Sequence, residues 1–319
     1  VSETALKKTK HLTGVNPKKN NGFSMEKQKA RWGWIFVLPA LIIFSVFSFY
    51  PMVNALYMSL MKKDLLSLAP PRFIGLHNYE YLFNSPDFWN SVRATAVFTL
   101  GTFVPLLVIS LALAAFIMSL QKFQKFFQMA FYSPAVLSSV VTATIWLLIF
   151  NPRGLANQGA DFLLHTPGVD YKWLANDVML QLATIVVYFW KYVGYFTIVF
   201  ITGMGGVPVS LHEAAKIDGA NRWQTFWSIT FPLIKPTTVL VSIMAMLQCL
   251  KTFSTQYLFT TSGAPTQPIN VITLNIYNMA IRDHRIGRAS AMSIMLFVIM
   301  FVFTWVQFKV FKSEKVTYS

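Results

Sequence analysis

The sequence predicts an all-α membrane protein of six transmembrane helices, and three observations carry that prediction. Of 319 residues, 55% are hydrophobic and only 12% are charged, about half the charged fraction of an average soluble domain. The apolar residues, 29 Phe and 9 Trp among them, are too many to hide inside a soluble globule of this size. They also gather into six runs, each long enough for the roughly 20 residues that a helix needs to cross a bilayer. The same figures exclude an intrinsically disordered chain, which requires low hydrophobicity. A single cysteine, Cys249, excludes an internal disulfide framework.

Taken in order, the chain opens with a basic stretch. Up to residue 32 it holds eight Lys or Arg against Glu3 and Glu26, with Gly14, Pro17 and Gly22 and no apolar run. Residues 1–30 therefore read as a disordered cytoplasmic tail that touches anionic lipid. Phe23 and Trp32 are too few aromatics for a nucleic-acid module, so no nucleic-acid partner is expected. Residues 31–319 form the membrane domain, with spans over about 33–60, 92–119, 129–150, 178–203, 237–258 and 289–311. The first run follows a basic leader as a signal peptide would, but it is too long and no small-residue cleavage pattern closes it. Pro39, Pro51, Pro105 and Pro134 fall inside helices. A membrane bundle tolerates this because neighbouring groups satisfy the freed carbonyls.

Orientation follows from the connecting segments. With the N-terminus inside, the inner segments carry 16 Lys or Arg and the outer ones 8, which places both termini in the cytoplasm. Arg93 sits at an outer helix end, where a long cationic side chain snorkels to the interface. No repeat at a period of 20–50 residues is visible.

Much chemistry is absent. No Gly is followed by Lys, so there is no phosphate-cradling P-loop. His11, His77, His165, His212 and His284 have no metal-ligand spacing to one another or to Cys249. No Asp or Glu lies in any span. Membrane enzymes cluster polar catalytic groups at one depth, so transport is favoured over catalysis. A membrane-embedded transferase is the alternative of another class. It would need intramembrane acids or a metal constellation.

The inner loop 204–236 is the most informative segment. It reads as a short amphipathic helix started by Pro208 and Ser210 and stopped or sharply turned at Gly219. A second helical piece then leads to Pro232 and Pro236. From the residues alone it suits equally a helix that docks a soluble partner and an interfacial helix that anchors the loop.

The pattern Glu213-Ala214-Ala215-x3-Gly219-x9-Ile229-x-Phe231-Pro232 resembles the EAA loop of binding-protein-dependent ABC importer permeases, with Phe231 where the family has Leu. Phe131-x-x-Pro134 with Val140, Val141 and Trp146, Asn151-Pro-x-Gly154-x-x-Asn157, and Phe73-x-Gly75-x-x-Asn78-Tyr79 resemble the carbohydrate-uptake branch, of the maltose/glycerol-phosphate type. The likeness spans about residues 30–312. It implies a type I ABC importer permease fold with a cytoplasmic coupling helix, in a bacterial inner membrane. Its implied partners are a second permease, two ATPase subunits and an external solute-binding protein. ATP and Mg would be bound by the ATPases, so this chain has no cofactor and no catalytic residue of its own. By position, Glu213, Ala214, Ala215, Asp218 and Gly219 are the implied ATPase-coupling residues. Glu213 would be the polar anchor, the small Ala pair would allow close approach, and Gly219 would supply a backbone geometry that other residues resist.

Two spans carry polar stripes at helical spacing. The fourth has Tyr188, Lys191, Tyr192 and Tyr195, and the fifth has Gln248, Lys251, Thr252 and Thr255. In apolar helices such stripes face the bundle or a wet cavity rather than lipid. The tyrosines suit both ordinary helix packing and the alternating CH and OH surfaces of a sugar. Lys191 lies roughly 20 Å from either end of its span, beyond the reach of snorkelling, whereas Lys251 is close enough to the outer end to snorkel. With no intramembrane acid in the chain, the partner of Lys191 is water, the second permease or the cargo. The expected cargo is an oligosaccharide, acidic and uronate-containing. Neutral sugars or a phosphate ester carried by the same type of importer are the alternatives. Cys249 reads as a packing residue.

Overall fold

The computed structural model describes residues 22–120, 122–165, 169 and 171–310. It divides into two compact units, residues 1–54 and 55–319.

In the first unit, helix α1 (Gly22–Phe44) runs through a π-helical turn at Ser45–Phe49 into the first half of α2 (Tyr50–Ser59), whose later residues belong to the second unit. The turn has a local cause. Pro51 has no N–H, and its ring excludes the carbonyl four residues back. Tyr50 N–H accordingly bonds the Ser45 carbonyl, five residues back, which widens the turn ahead of the proline. The helix begins before the expected membrane boundary, so residues 22–30 are helical and not part of an unstructured tail. Met25-Glu-Lys-Gln-Lys-Ala-Arg31 is rich in good helix formers, which extend the apolar helix backwards. The rest of the basic tail, 1–21, lies outside the described residues.

The second unit is the helical bundle. After the end of α2 comes a two-stranded antiparallel ribbon, β1 (Met61–Lys62) and β2 (Arg72–Phe73), in the register Met61↔Phe73. The expectation of a purely α chain missed this ribbon. α3 (His77–Asn84) follows, and the buried Asn78 donates to the carbonyls of Ser59 and Met61 at 2.8 and 2.9 Å, tying the ribbon to the helix. α4 (Pro86–Ser119) is the longest helix and packs along α8 (Asp177–Gly205). Leu106 of α4, Phe196 and Phe200 of α8, and Val241 and Ala245 of α12 (Lys235–Leu250) share one buried cluster. The bundle is completed by α15 (Ile286–Val310).

Five helical runs are long and apolar enough to cross a membrane, and a sixth is added if one bent pair counts as a span. That pair is the expected third span, 129–150, which is not one helix. α5 (Gln124–Val136) and α6 (Ser139–Ile149) meet at 97°. Pro134 lies in the last turn of α5, Leu137 and Ser138 are extended, and the Ser138 hydroxyl caps α6 by accepting from Val141 N–H at 3.2 Å. α5 lies against α8 where Gly194 leaves no room for more than hydrogen: a Cβ there would sit 1.8 Å from the Phe131 carbonyl oxygen.

The fifth span is also interrupted. α12 ends at Leu250, Lys251–Phe253 are irregular, and α13 (Ser254–Thr261) resumes. Thr273 Oγ1 donates to the Thr252 carbonyl, satisfying a backbone acceptor that the break exposes. Outside the spans, α7 (Leu155–Leu164) and α14 (Ile272–Tyr277) complete one set of connections. The loop 204–236 contains α9 (Val209–Ile217), α10 (Arg222–Thr225) and α11 (Phe231–Leu233), with a second π-helical turn at Phe226–Thr230 that widens the chain ahead of Pro232.

Candidate functional site

A cavity of about 260 Å³ opens where α6, α8 and the α12–α13 break meet. α8 contributes Tyr188, Lys191 and Tyr192, and the break contributes Gln248, Lys251, Thr252 and Thr255. Seven of the eight side chains expected along a polar path are thus brought together. The second stripe does so for a different reason than helical spacing, since the helix that should carry it is broken at Lys251–Phe253. Tyr195 is the exception. It stands two turns beyond Tyr188, about 10 Å along α8, and packs edge-on against Phe196 beside the main core.

Lys191 is only 6% exposed. Its Nζ donates to Ser139 Oγ at 2.8 Å and lies 5.3 Å from the centre of the Tyr192 ring, within range of a cation–π attraction. Lys251 is exposed. The Tyr188 and Tyr192 rings are 4.5 Å apart, and Phe98 packs edge-on against Tyr188. The Gln248 side-chain oxygen is buried with no hydrogen-bond partner among the described residues. No carboxylate lines the cavity. Its walls therefore offer aromatic faces, neutral hydroxyl and amide groups, and two cations.

Sequence reasoning missed Ser139 and Phe253. Ser139 follows Pro134 closely enough to hint at a helix start, but its meeting with Lys191 depends on the 97° bend. Phe253 stacks on Tyr257 at 5.2 Å, and both pack against Tyr277, 20 residues beyond Tyr257.

At the other candidate region, α9 ends as its sequence dictates. Gly219 has φ +77°. Its N–H bonds the Lys216 carbonyl, and Ala220 N–H bonds that of Ala215 at 2.9 Å, the paired closure of a left-handed helix cap. Asn221 and Gln224 then exchange side-chain and backbone bonds, both 2.9 Å, to start α10. The two short helices are thereby locked around one turn. Glu213, Ala214, Asp218 and Gly219 are exposed, whereas Ala215 is buried. The alanine pair is thus split: Ala214 faces outward and Ala215 packs inward. Val209, Glu213 and Ile217, at i, i+4 and i+8, present one exposed face.

Apolar spans around a polar, cationic cavity define a membrane transport protein. The chain belongs to the family of binding-protein-dependent transport system inner membrane components, whose pattern matches residues 81–313. It is a permease subunit and not an enzyme. It is 31% identical to a multiple sugar-binding transport system permease protein of Streptococcus mutans, over 89% of this chain and 97% of that one. It is 29% identical to an sn-glycerol-3-phosphate transport system permease protein of Agrobacterium fabrum, over 89% and 96%. Its fold superposes with a TM-score of 0.78, at 21% identity and over 92% and 99% of the two chains, on a bacterial ABC transporter involved in the import of the acidic polysaccharide alginate.

Proposed function

We propose that the chain is one of two permease subunits of an ATP-driven importer for an acidic, uronate-containing oligosaccharide. The observation that carries the substrate class is the cavity: two lysines, one of them buried, stand with two adjoining tyrosines, and no carboxylate lies on the walls. A cation at membrane depth is unfavourable without compensation, and this chain supplies no acid to compensate it. An anionic sugar supplies the charge, while Tyr188 and Tyr192 supply flat apolar faces for its CH surfaces. Relatives that carry sugars support the saccharide class. The alginate importer supports the fold alone, since it is 21% identical.

In this reading an external binding protein delivers the cargo, and a second permease closes the other side of the path. Two ATPase subunits bind ATP and Mg and drive alternating access through α9. The exposed face around Glu213 is the ATPase contact, and the locked turn at Gly219 transmits force because it cannot bend independently of α10. Six spans leave both termini in the cytoplasm. The glycerol-phosphate relative favours a second reading, a phosphate ester, which also meets the lysines with an anion. The experiment that decides is calorimetric titration of the cognate binding protein with an oligouronate, its carboxyl-reduced neutral counterpart and glycerol 3-phosphate. Tight binding of the oligouronate alone is expected. Preference for the neutral sugar would refute the acidic reading, and preference for the ester would select the second.

A further inference from the structure

Lys191 and Gly194 stand one turn apart on α8, and each holds a different half of the bent pair. Gly194 meets α5 backbone to backbone, with no space for a methyl group between them, so α5 is fixed on α8. Lys191 meets α6 through a bond from its ammonium to the neutral hydroxyl of Ser139 at 2.8 Å, and the Tyr192 hydroxyl lies beside the same group. Ser139 is the first residue of α6, immediately after the 97° bend at Leu137–Ser138. Both residues line the cavity.

The rest of that face of α6 is underpaired. Thr142 and Trp146 follow Ser139 at i+3 and i+7, on the same side of the helix. Thr142 Oγ1 and Trp146 Nε1 are buried with no hydrogen-bond partner among the described residues. Buried polar groups are normally paired, so beyond Ser139 this face of α6 has groups free to form new bonds if the helix shifts.

The chemistry of the tie sets what can break it. A charge-assisted bond from an ammonium to a carboxylate is roughly twice as strong as a bond to a neutral acceptor. A sugar hydroxyl offers Lys191 no more than Ser139 already does. We propose that Ser139 is a specificity-determining residue: its hydroxyl holds the Lys191 ammonium until an anionic sugar displaces it, and that exchange frees the start of α6 from α8. A neutral sugar leaves the tie in place. The proposal rests on reading the cavity as the cargo path.

The test uses the complete importer with its binding protein in proteoliposomes, and an oligouronate tetramer with its carboxyl-reduced counterpart as probes. Ser139→Ala removes the competitor for the ammonium. The half-saturating concentration for oligouronate uptake should fall about three- to ten-fold, while that for the neutral probe stays put. Ser139→Thr keeps the hydroxyl and should behave as the unaltered chain, and Ser139→Ala should add nothing in a Lys191→Gln background. Spin labels at the exposed positions Thr144 on α6 and Val186 on α8, in a Cys249→Ser background, read the motion. The oligouronate should shift their distance and the neutral probe should not, and Ser139→Ala should populate the shifted distance without probe. An equal response of both probes to Ser139→Ala, or an unmoved label distance, overturns the role of Ser139 alone. Uptake of the neutral probe and not of the oligouronate by the unaltered importer refutes the cargo reading, and this proposal with it.

Discussion

Replacing Lys191 by Gln keeps a hydrogen-bonding side chain of similar reach at the centre of α8 and removes one charge from the cavity. A carboxylate 4 Å from that ammonium is attracted by about 4 kcal/mol at an effective dielectric of 20. Part of this offsets the hydration that the carboxylate gives up. What remains is typical of a hydrogen bond to a charged group, about 1.5–3 kcal/mol. Uptake of an oligouronate should therefore fall about 10- to 150-fold in kcat/KM, and uptake of its carboxyl-reduced counterpart less than about 3-fold. Lys251, at the same cavity, keeps the loss toward the lower figure. Assembly should survive, because Lys191 is a buried cation whose hydrogen-bond partner is a neutral serine. Its removal relieves desolvation and does not orphan a buried acid of this chain. The assay is initial uptake of both probes by proteoliposomes of the complete importer, alongside basal ATPase activity as a check on assembly. Equal losses for the two probes would mean that Lys191 serves packing, and no loss for the acidic probe would remove it from the path.

At the inner loop, Gly219→Val places a β-branched residue at φ +77°, at a cost of about 1–2 kcal/mol. It should abolish substrate-stimulated ATP hydrolysis while the bundle still inserts, and Glu213→Ala should weaken co-purification with the ATPase. Normal stimulation in Gly219→Val would show that the turn does not transmit force. For orientation, single cysteines at the exposed positions Gln158 and Ser262, in a Cys249→Ser background, should react with an impermeant thiol reagent in spheroplasts, and one at Lys216 should not. Labelling at Lys216 would invert the arrangement.

Much of the fold was legible because membrane spans are written in composition. The apolar runs placed α8 and α15 to within three residues and the end of α4, whose start lies six residues earlier than expected, and the turn at Gly219 is local enough to read directly. The two broken spans were not legible. Both α5–α6 and α12–α13 read as continuous apolar helices, since hydropathy reports what lipid accepts and not where a helix bends. The ribbon Met61–Phe73 is too short to leave a period in the sequence. In the candidate site, helical spacing put Tyr188, Lys191 and Tyr192 on the face that lines the cavity, whereas Tyr195, at the same spacing, lies outside it against Phe196.

By itself the sequence determined that the chain lives in a membrane, that its spans carry lysines and no acid, and that residues 213–219 form a helix end and turn. Those properties depend on residue type and on neighbours within one or two turns. Which polar groups meet was decided only by tertiary structure. Ser139 reaches Lys191, 52 residues away, because the chain turns through 97° just before it. Lys251, Thr252 and Thr255 face the cavity because α12 stops at Leu250, with a carbonyl held by Thr273. Such meetings depend on bends that distant contacts stabilise: a proline allows the bend at Leu137, and the backbone of α5 pressed onto Gly194 fixes where it leads.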